Sequence, residues 1–145
     1  MVASISTYGK LWDHIFQKRI DIDTDTLKVA LLTSSYTPDL DAHDYFDDVT
    51  SYQPTATGYT SGGAALGSVT WTYDSGTNTY TFDAADPSWT ITGTCTARYA
   101  VVYDSTPATD ATRPLMFLVD LGEDKTATDG TFKLTLNAAG LFTAT

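Results

Sequence analysis

Carboxylates, serines and threonines are plentiful in this chain, but histidine and cysteine, which most often act as base or nucleophile near neutral pH, are few. The two histidines, His14 and His43, lie in different segments, and neither is accompanied by the Gly-x-Ser-x-Gly turn that presents a nucleophilic serine in many hydrolases. The single cysteine, Cys95, has no histidine near it in the sequence, so we interpret it as a small packed core residue rather than a reactive thiol. We therefore predict that the chain is not an enzyme.

An acidic segment offers the nearest approach to a metal-binding pattern. Asp39, Asp41, His43 and Asp44 have the opening rhythm of a calcium-binding loop. Such a loop also needs glycine at its sixth position and glutamate at its twelfth, where this chain has Asp44 and Thr50. We predict a solvated acidic loop with no metal and no other cofactor; a looser calcium site using several of these carboxylates is the alternative.

Two further patterns have a structural and a functional interpretation. The glycine-rich residues 58–63 lack the Lys-Ser/Thr pair that completes a phosphate-binding loop, so a turn is predicted there. Four aromatic residues at alternating strand positions could form a sugar-binding platform, but such residues more often fill a core or a subunit interface. These residues are Trp71, Tyr73, Tyr80 and Trp89.

Composition excludes several classes of partner. The formal net charge is −10, with 18 acidic side chains against 8 lysines and arginines, so nucleic-acid binding is disfavoured because phosphate contacts need concentrated positive charge. No apolar run reaches the ~18 residues of a membrane-spanning helix, and residues 1–10 do not have the pattern of a signal peptide. An acidic surface suits solubility, or a protein partner with cationic patches.

One short amphipathic helix is predicted before the β-structure. Tyr8, Leu11, Trp12, Ile15 and Phe16 recur at spacings of three and four, which places them on one face of a helix over residues 7–19. The helix could cover an edge of a sheet or pack on a neighbouring subunit.

The rest of the chain alternates in the manner of short antiparallel strands. Strands are predicted near residues 27–33, 66–73, 79–83, 88–92, 98–103, 115–121 and 132–136, with a closing segment at 141–142. Residues 34–51 form a long polar connection and residues 122–130 a polar loop. The expected fold is one mainly β domain over residues 1–145, with the helix at 7–19 and the β-domain at 27–145. Its architecture is expected to be an antiparallel β-sandwich or a barrel-like fold of about eight short strands.

Motifs along nearly the whole chain resemble a family of small structural proteins encoded by tailed bacteriophages, in the same order. The matching segments are DTDTLKVALLT (23–33), YTPD (36–39), TGYTSGG (57–63), ARYAVVYD (97–104), RPL (113–115) and DGTF (129–132). The helix before the first strand also fits. The resemblance implies a virion protein that decorates the capsid surface as a cement protein, made in the host cytoplasm, with no catalytic residues.

By analogy with cement proteins, the resemblance implies a homotrimer bound to the major capsid protein, while charge and hydropathy predict no nucleic-acid or membrane partner. A tail, neck or fibre-base protein and a carbohydrate-binding adsorption module are the alternatives. The helix and the long connection are the predicted contact segments. The predicted interface residues are Trp12, Phe16, Tyr36, Asp39, Asp41, Tyr45 and Phe46.

Overall fold

The computed structural model of the chain describes residues 4–137, 140 and 142–144, and it is mainly antiparallel β-structure. The single helix of more than one turn in this part of the chain, α1, spans Leu11–Phe16. Three short 3₁₀ segments lie at Phe46–Asp48, Thr50–Tyr52 and Asp110–Thr112. The strands are β1 Ser4–Thr7, β2 Leu27–Leu32, β3 Ala64–Ala65, β4 Thr70–Asp74, β5 Thr79–Asp83, β6 Ser88–Thr90, β7 Thr94–Asp104, β8 Leu115–Thr128, β9 Thr131–Lys133 and β10 Phe142–Ala144.

The strands form three sheets. The largest has the order β1-β8-β7-β2-β3, and the two smaller ones have the orders β10-β5-β4 and β6-β9. All the pairings are antiparallel, and no sheet closes into a barrel within the described residues. The prediction of a mainly antiparallel β fold is confirmed, and the layered arrangement agrees with its sandwich form.

The central strands of the large sheet are buried on both faces. Successive side chains of β7 point to opposite faces of the sheet. Ala100 and Val102 therefore pack in a first apolar cluster on one face, and Val101 and Tyr103 pack in a second apolar cluster on the other. The two small sheets cover the first cluster, where Phe82 of β5 meets Phe117 of β8 with 5.3 Å between ring centroids. The second cluster lies under residues from the long connection, which therefore serves as a core layer on the opposite face.

The helix is shorter than predicted. Residues 4–7 form β1, which pairs with β8 so that Ser6 lies opposite Leu118, and the helix begins only at Leu11. Tyr8 therefore lies outside the helix and enters the second apolar cluster. The apolar spacing of three and four residues begins at Tyr8, so it predicts a helix from Thr7. Tyr8 is buried for a different reason: it follows the edge strand β1 and packs on the large sheet.

The predicted loop at residues 122–130 is largely strand. β8 continues to Thr128 and pairs with the start of β7, where the hydroxyls of Thr96 and Thr126 lie 2.8 Å apart. Glycine and acidic residues lower strand propensity, but cross-strand pairing overrides it here. The predicted closing segment at 141–142 is only partly within the described residues, because residue 141 lies outside them.

Candidate protein-binding surface

The two predicted contact segments lie against one another. The backbone N–H of Gly9 donates to the carbonyl of Leu40 over 2.8 Å. The guanidinium of Arg19 donates to the Tyr45 hydroxyl over 3.0 Å, and the Tyr45 ring lies 5.1 Å from the ring of His14. Helix α1 and residues 39–48 therefore form one continuous surface, called the α1–loop surface below.

The apolar face predicted for the helix is divided between core and solvent. Leu11 is buried in the first apolar cluster, and Ile15 packs against it. Trp12 is 39% exposed and Phe16 is 81% exposed, one helical turn apart on the outer side. A phenylalanine this open to water is uncommon, and exposed apolar groups that lie together mark binding sites.

Two of the predicted interface residues are core residues. Tyr36 and Phe46 are buried, and the Phe46 ring stacks on Tyr103 with 3.9 Å between centroids and 7° between planes. The Tyr36 hydroxyl lies 3.0 Å from the hydroxyl of Tyr8 and 3.0 Å from Nδ1 of His43. The expectation that Tyr36 and Phe46 are exposed contact residues is wrong for their exposure, because the long connection packs both rings on the large sheet.

Acidic residues shape the loop as well as charging it. An Asp39 carboxylate oxygen accepts from the backbone N–H groups of Asp41 and Ala42, at 3.2 and 3.0 Å. Asp48 similarly accepts from the N–H groups of Asp44 and Tyr45, at 3.0 and 3.2 Å. The Asp39 bonds form an Asx-type turn, and Asp48 is the third residue of a capping box at the 3₁₀ segment Phe46–Asp48; both fix the shape of the loop.

The remaining predicted interface residues are accessible on the α1–loop surface. Asp39 and Asp41 are exposed, and Tyr45 is half-buried between His14 and Arg19. Trp12 and Phe16 are the exposed apolar pair of this surface, and Asp39 and Asp41 are its exposed acidic residues. Five of the seven predicted residues thus lie on one accessible surface, and the other two anchor it from beneath.

His14 is an unusual component of this surface. The side chain is buried, and neither ring nitrogen has a hydrogen-bond partner among the described residues. Burial lowers the pKa of His14, and Arg19 lowers it further, while Asp44 and Asp13 act in the opposite direction. The imidazole is therefore neutral at pH 7 and acts as a packing group against Tyr45.

A second aromatic surface lies on the β4–β5 hairpin. Trp71, Tyr73 and Tyr80 are 37%, 50% and 43% exposed, and together they are called the hairpin strip below. Trp71 and Tyr80 stack with 5.5 Å between centroids and 17° between planes, and Tyr73 lies 4.6 Å from Tyr80. Trp89, which sequence reasoning grouped with them, is buried.

Other candidates for chemistry lie apart from one another. Cys95 is a buried core residue, as predicted, and burial raises the pKa of its thiol. Asp104, which the sequence did not single out, is also buried; burial and then Asp25 raise its pKa to about 6. Within the described residues, no three or more His, Cys, Asp and Glu side chains are grouped so that they could hold a metal ion.

Comparison with known proteins adds no relative. The chain matches no protein-family model, no curated protein and no solved structure. In the described part of the chain, none of the helices has the length and hydropathy needed to span a membrane.

Proposed function

We propose that this chain is a structural protein of a tailed-phage particle, which binds and stabilises the capsid shell as a decoration protein. The observation that carries the proposal is the exposed pair Trp12 and Phe16 on a helix fixed beside the acidic loop. In the proposal the chain has no catalytic role. Its partners are the major capsid protein and further copies of itself.

The chemistry of the α1–loop surface fits a protein partner. Protein interfaces combine a few buried aromatic anchors with a polar rim, and the anchors supply most of the binding energy. Phe16 and Trp12 would be the anchors. The exposed carboxylates of Asp39 and Asp41 would form part of the rim. The matching site on the shell is an apolar pocket bordered by lysine or arginine.

Rigidity also favours this role for the surface. The loop is held by the Asx-type turn at Asp39 and the capping box at Asp48, and its buried Phe46 packs on the large sheet, so little chain entropy would be lost on binding. A homotrimer, as the resemblance implies, would present three such surfaces to the shell at once. Several weak contacts would then gain from multivalency.

Co-sedimentation with phage heads that lack this protein tests the proposal. We expect saturable binding of the wild-type chain, weakened at least tenfold by the double substitution Trp12→Ser and Phe16→Ser. A matched control, Tyr73→Ser with Tyr80→Ser, removes exposed aromatics from the hairpin strip and should weaken head binding far less than the Trp12 and Phe16 double variant. Circular dichroism would verify that both double variants are folded.

The charge contribution can be measured in the same assay. The substitution of Asp39 and Asp41 by asparagine should reduce the rate of association and its dependence on salt, while leaving part of the affinity. Absence of binding to heads, with binding to tails or necks, would instead assign the protein to the tail, neck or fibre base.

A carbohydrate-binding adsorption module is the second candidate, favoured by the exposed hairpin strip. Sugar rings stack on exposed aromatic faces, and Trp71, Tyr73 and Tyr80 are accessible. Against it, Trp71 and Tyr80 are stacked near-parallel with each other, which occupies part of the ring faces that a sugar would need. Glycan binding that fails in Trp71→Ala would support this candidate.

A further inference from the structure

Strand β4 is an edge strand with an open outer side. Among the described strands, β4 pairs only with β5, in the sheet order β10-β5-β4. All five of its residues, Thr70–Asp74, are exposed. In an antiparallel sheet, every second residue turns its N–H and C=O away from its neighbour, so β4 presents backbone donors and acceptors that a further strand can use.

Most of the usual protections of an edge strand are missing from β4, and its one charged residue, Asp74, lies at the end of the strand. The strand contains no lysine and no proline, and its register with β5 runs through five consecutive pairs with no bulge. Of the described strands that pair with one neighbour only, β4 is the longest; β3, by contrast, has two residues. Natural proteins shorten, charge or bend such edges to prevent pairing with another chain. An unprotected edge therefore indicates that pairing is tolerated or used.

The sequence of β4 is complementary to itself in the antiparallel direction. When two copies of Thr-Trp-Thr-Tyr-Asp are centred on Thr72, each Trp71 lies opposite the other copy's Tyr73. Thr70 lies opposite Asp74, so no two carboxylates face each other. Cross-strand aromatic pairs are among the stabilising pairs in sheets, and like charges directly opposite are destabilising.

We propose that β4 pairs with β4 of a second copy of this chain, antiparallel and centred on Thr72. The pair would join two three-stranded sheets into one and make the two hairpin strips continuous across a two-fold axis. This inference stands on the hairpin alone and does not depend on binding to a capsid. It is also compatible with a trimer formed elsewhere, because the pair would then link a copy in one trimer to a copy in the next.

Two properties of the contact follow from its size and charge. A five-residue strand pair buries less than the ~1,200 Å² of a standard stable interface, so association should depend on protein concentration. Each chain has a net charge of −10, so two copies repel each other at long range. Association should therefore strengthen as salt screens this repulsion, in contrast with contacts that depend on opposite charges.

Disulfide trapping tests both the partner and the register. In the proposed pair, the two Thr72 Cα atoms lie about 4.5 or 5.5 Å apart, depending on the kind of antiparallel site, and both distances allow a disulfide. Thr72→Cys should therefore form a cross-linked dimer on mild oxidation. Thr90→Cys, an exposed threonine on β6, is the matched control and should remain monomeric on a denaturing gel, as should the wild-type chain with its buried Cys95.

The register has its own prediction. Thr70→Cys and Asp74→Cys should each cross-link poorly alone and efficiently when the two variants are mixed, because residue 70 of one copy faces residue 74 of the other. In light scattering, the mass of the wild-type chain should rise with protein and salt concentration. Thr72→Lys, which places a charge at the centre of the edge, should reduce that rise while the hairpin stays folded.

Several results would overturn the inference. The first is that Thr72→Cys cross-links no more than Thr90→Cys, or not at all. This comparison is made at protein concentrations where the mass of the wild-type chain rises in light scattering. Another is cross-linking of Thr72→Cys to head proteins alone, which would make the partner strand a foreign one. A third is that the mass of the wild-type chain does not rise with protein concentration, while its tryptophan emission shifts when a soluble hexasaccharide such as cellohexaose is added. That result would assign the hairpin strip to sugar binding.

Discussion

The α1–loop surface and the hairpin strip both expose aromatic side chains, but they are supported in different ways. Beneath the first lies a full apolar cluster, with Phe46 and Tyr36 packed against the large sheet. The second belongs to a hairpin whose strand β4 is exposed along its whole length, and Phe82 at its base is the buried aromatic that joins it to the core. Their aromatics are therefore expected to serve different contacts.

The difference also appears in how the rings contact one another. Trp71, Tyr73 and Tyr80 cover part of each other, so what the strip offers a partner is mainly ring edges and an open strand. Phe16 is covered by little of its own chain and offers a whole ring. A whole ring suits insertion into a pocket, whereas an open strand suits sheet extension.

Truncating the aromatic support beneath the loop should have the largest effect on stability. Phe46→Ala removes a buried ring stacked on Tyr103 and should lower the free energy of unfolding by about 3–5 kcal/mol. Phe16→Ala is the matched control on the surface above, and it should change stability by less than about 0.5 kcal/mol. Urea denaturation followed by circular dichroism measures both values. Equal losses for the two variants would contradict the division into support and contact residues.

The buried hydroxyl pair beneath the same surface should contribute less. Tyr36→Phe removes the hydroxyl between Tyr8 and His43 and leaves the buried Tyr8 hydroxyl without that partner, for a loss of about 1–3 kcal/mol. Tyr8→Phe combined with Tyr36→Phe should lose less than the sum of the two single variants, because no hydroxyl then remains unpaired. A strictly additive cycle in urea denaturation would show that the hydroxyls do not act as a pair.

Much of the strand structure could be predicted from alternation, and its failures have physical causes. β2, the β4–β5 hairpin and the centres of β7 and β8 follow the apolar pattern of the sequence closely. Trp71 and Trp89 occur in similar alternating contexts, yet one is exposed and the other buried. Which face of a strand is covered depends on elements distant in the chain, and the pattern within one strand does not contain that information.

The accessible residues of the candidate surface were predicted in five of seven cases, and the two failures are the buried Tyr36 and Phe46. The sequence predicts that residues 39–48, which are rich in acidic and aromatic side chains, and the amphipathic helix are contact segments. The sequence did not show that they touch through Gly9 and Leu40, or that Tyr36 and Phe46 turn inward. Those placements follow from the second core cluster, which forms only when the long connection folds over the large sheet.

Acid should weaken the α1–loop surface through His14. Its pKa in the folded chain is lowered by burial and by Arg19, so the unfolded chain binds the proton more readily. The contribution of neutral His14 to stability is thus present above the ordinary histidine pKa of about 6.5, and it is lost as the pH falls below that value. We expect wild type to lose stability relative to His14→Leu between pH 7 and pH 5, as measured by urea denaturation at each pH.

The comparison with His14→Leu is needed because another group acts in the opposite direction. The pKa of Asp104 is raised to about 6 by burial and by Asp25, so protonation of its carboxyl favours the folded chain as the pH falls through 6 towards 4. Both chains contain Asp104, so its contribution cancels in the difference between them. A difference that does not change with pH would show that His14 does not titrate differently in the folded and unfolded chains.

The smallest effect is expected at the tip of the hairpin. Tyr73→Phe removes the hydroxyl that donates to the Asn78 side chain over 2.6 Å, but water can replace this exposed bond. The loss should be below about 0.5 kcal/mol in urea denaturation, less than that of Tyr36→Phe, although both variants delete one tyrosine hydroxyl. A loss as large as that of Tyr36→Phe would mean that the tip is held as firmly as the core beneath the loop. The contrast between a supported surface and an open strand would then have to be abandoned.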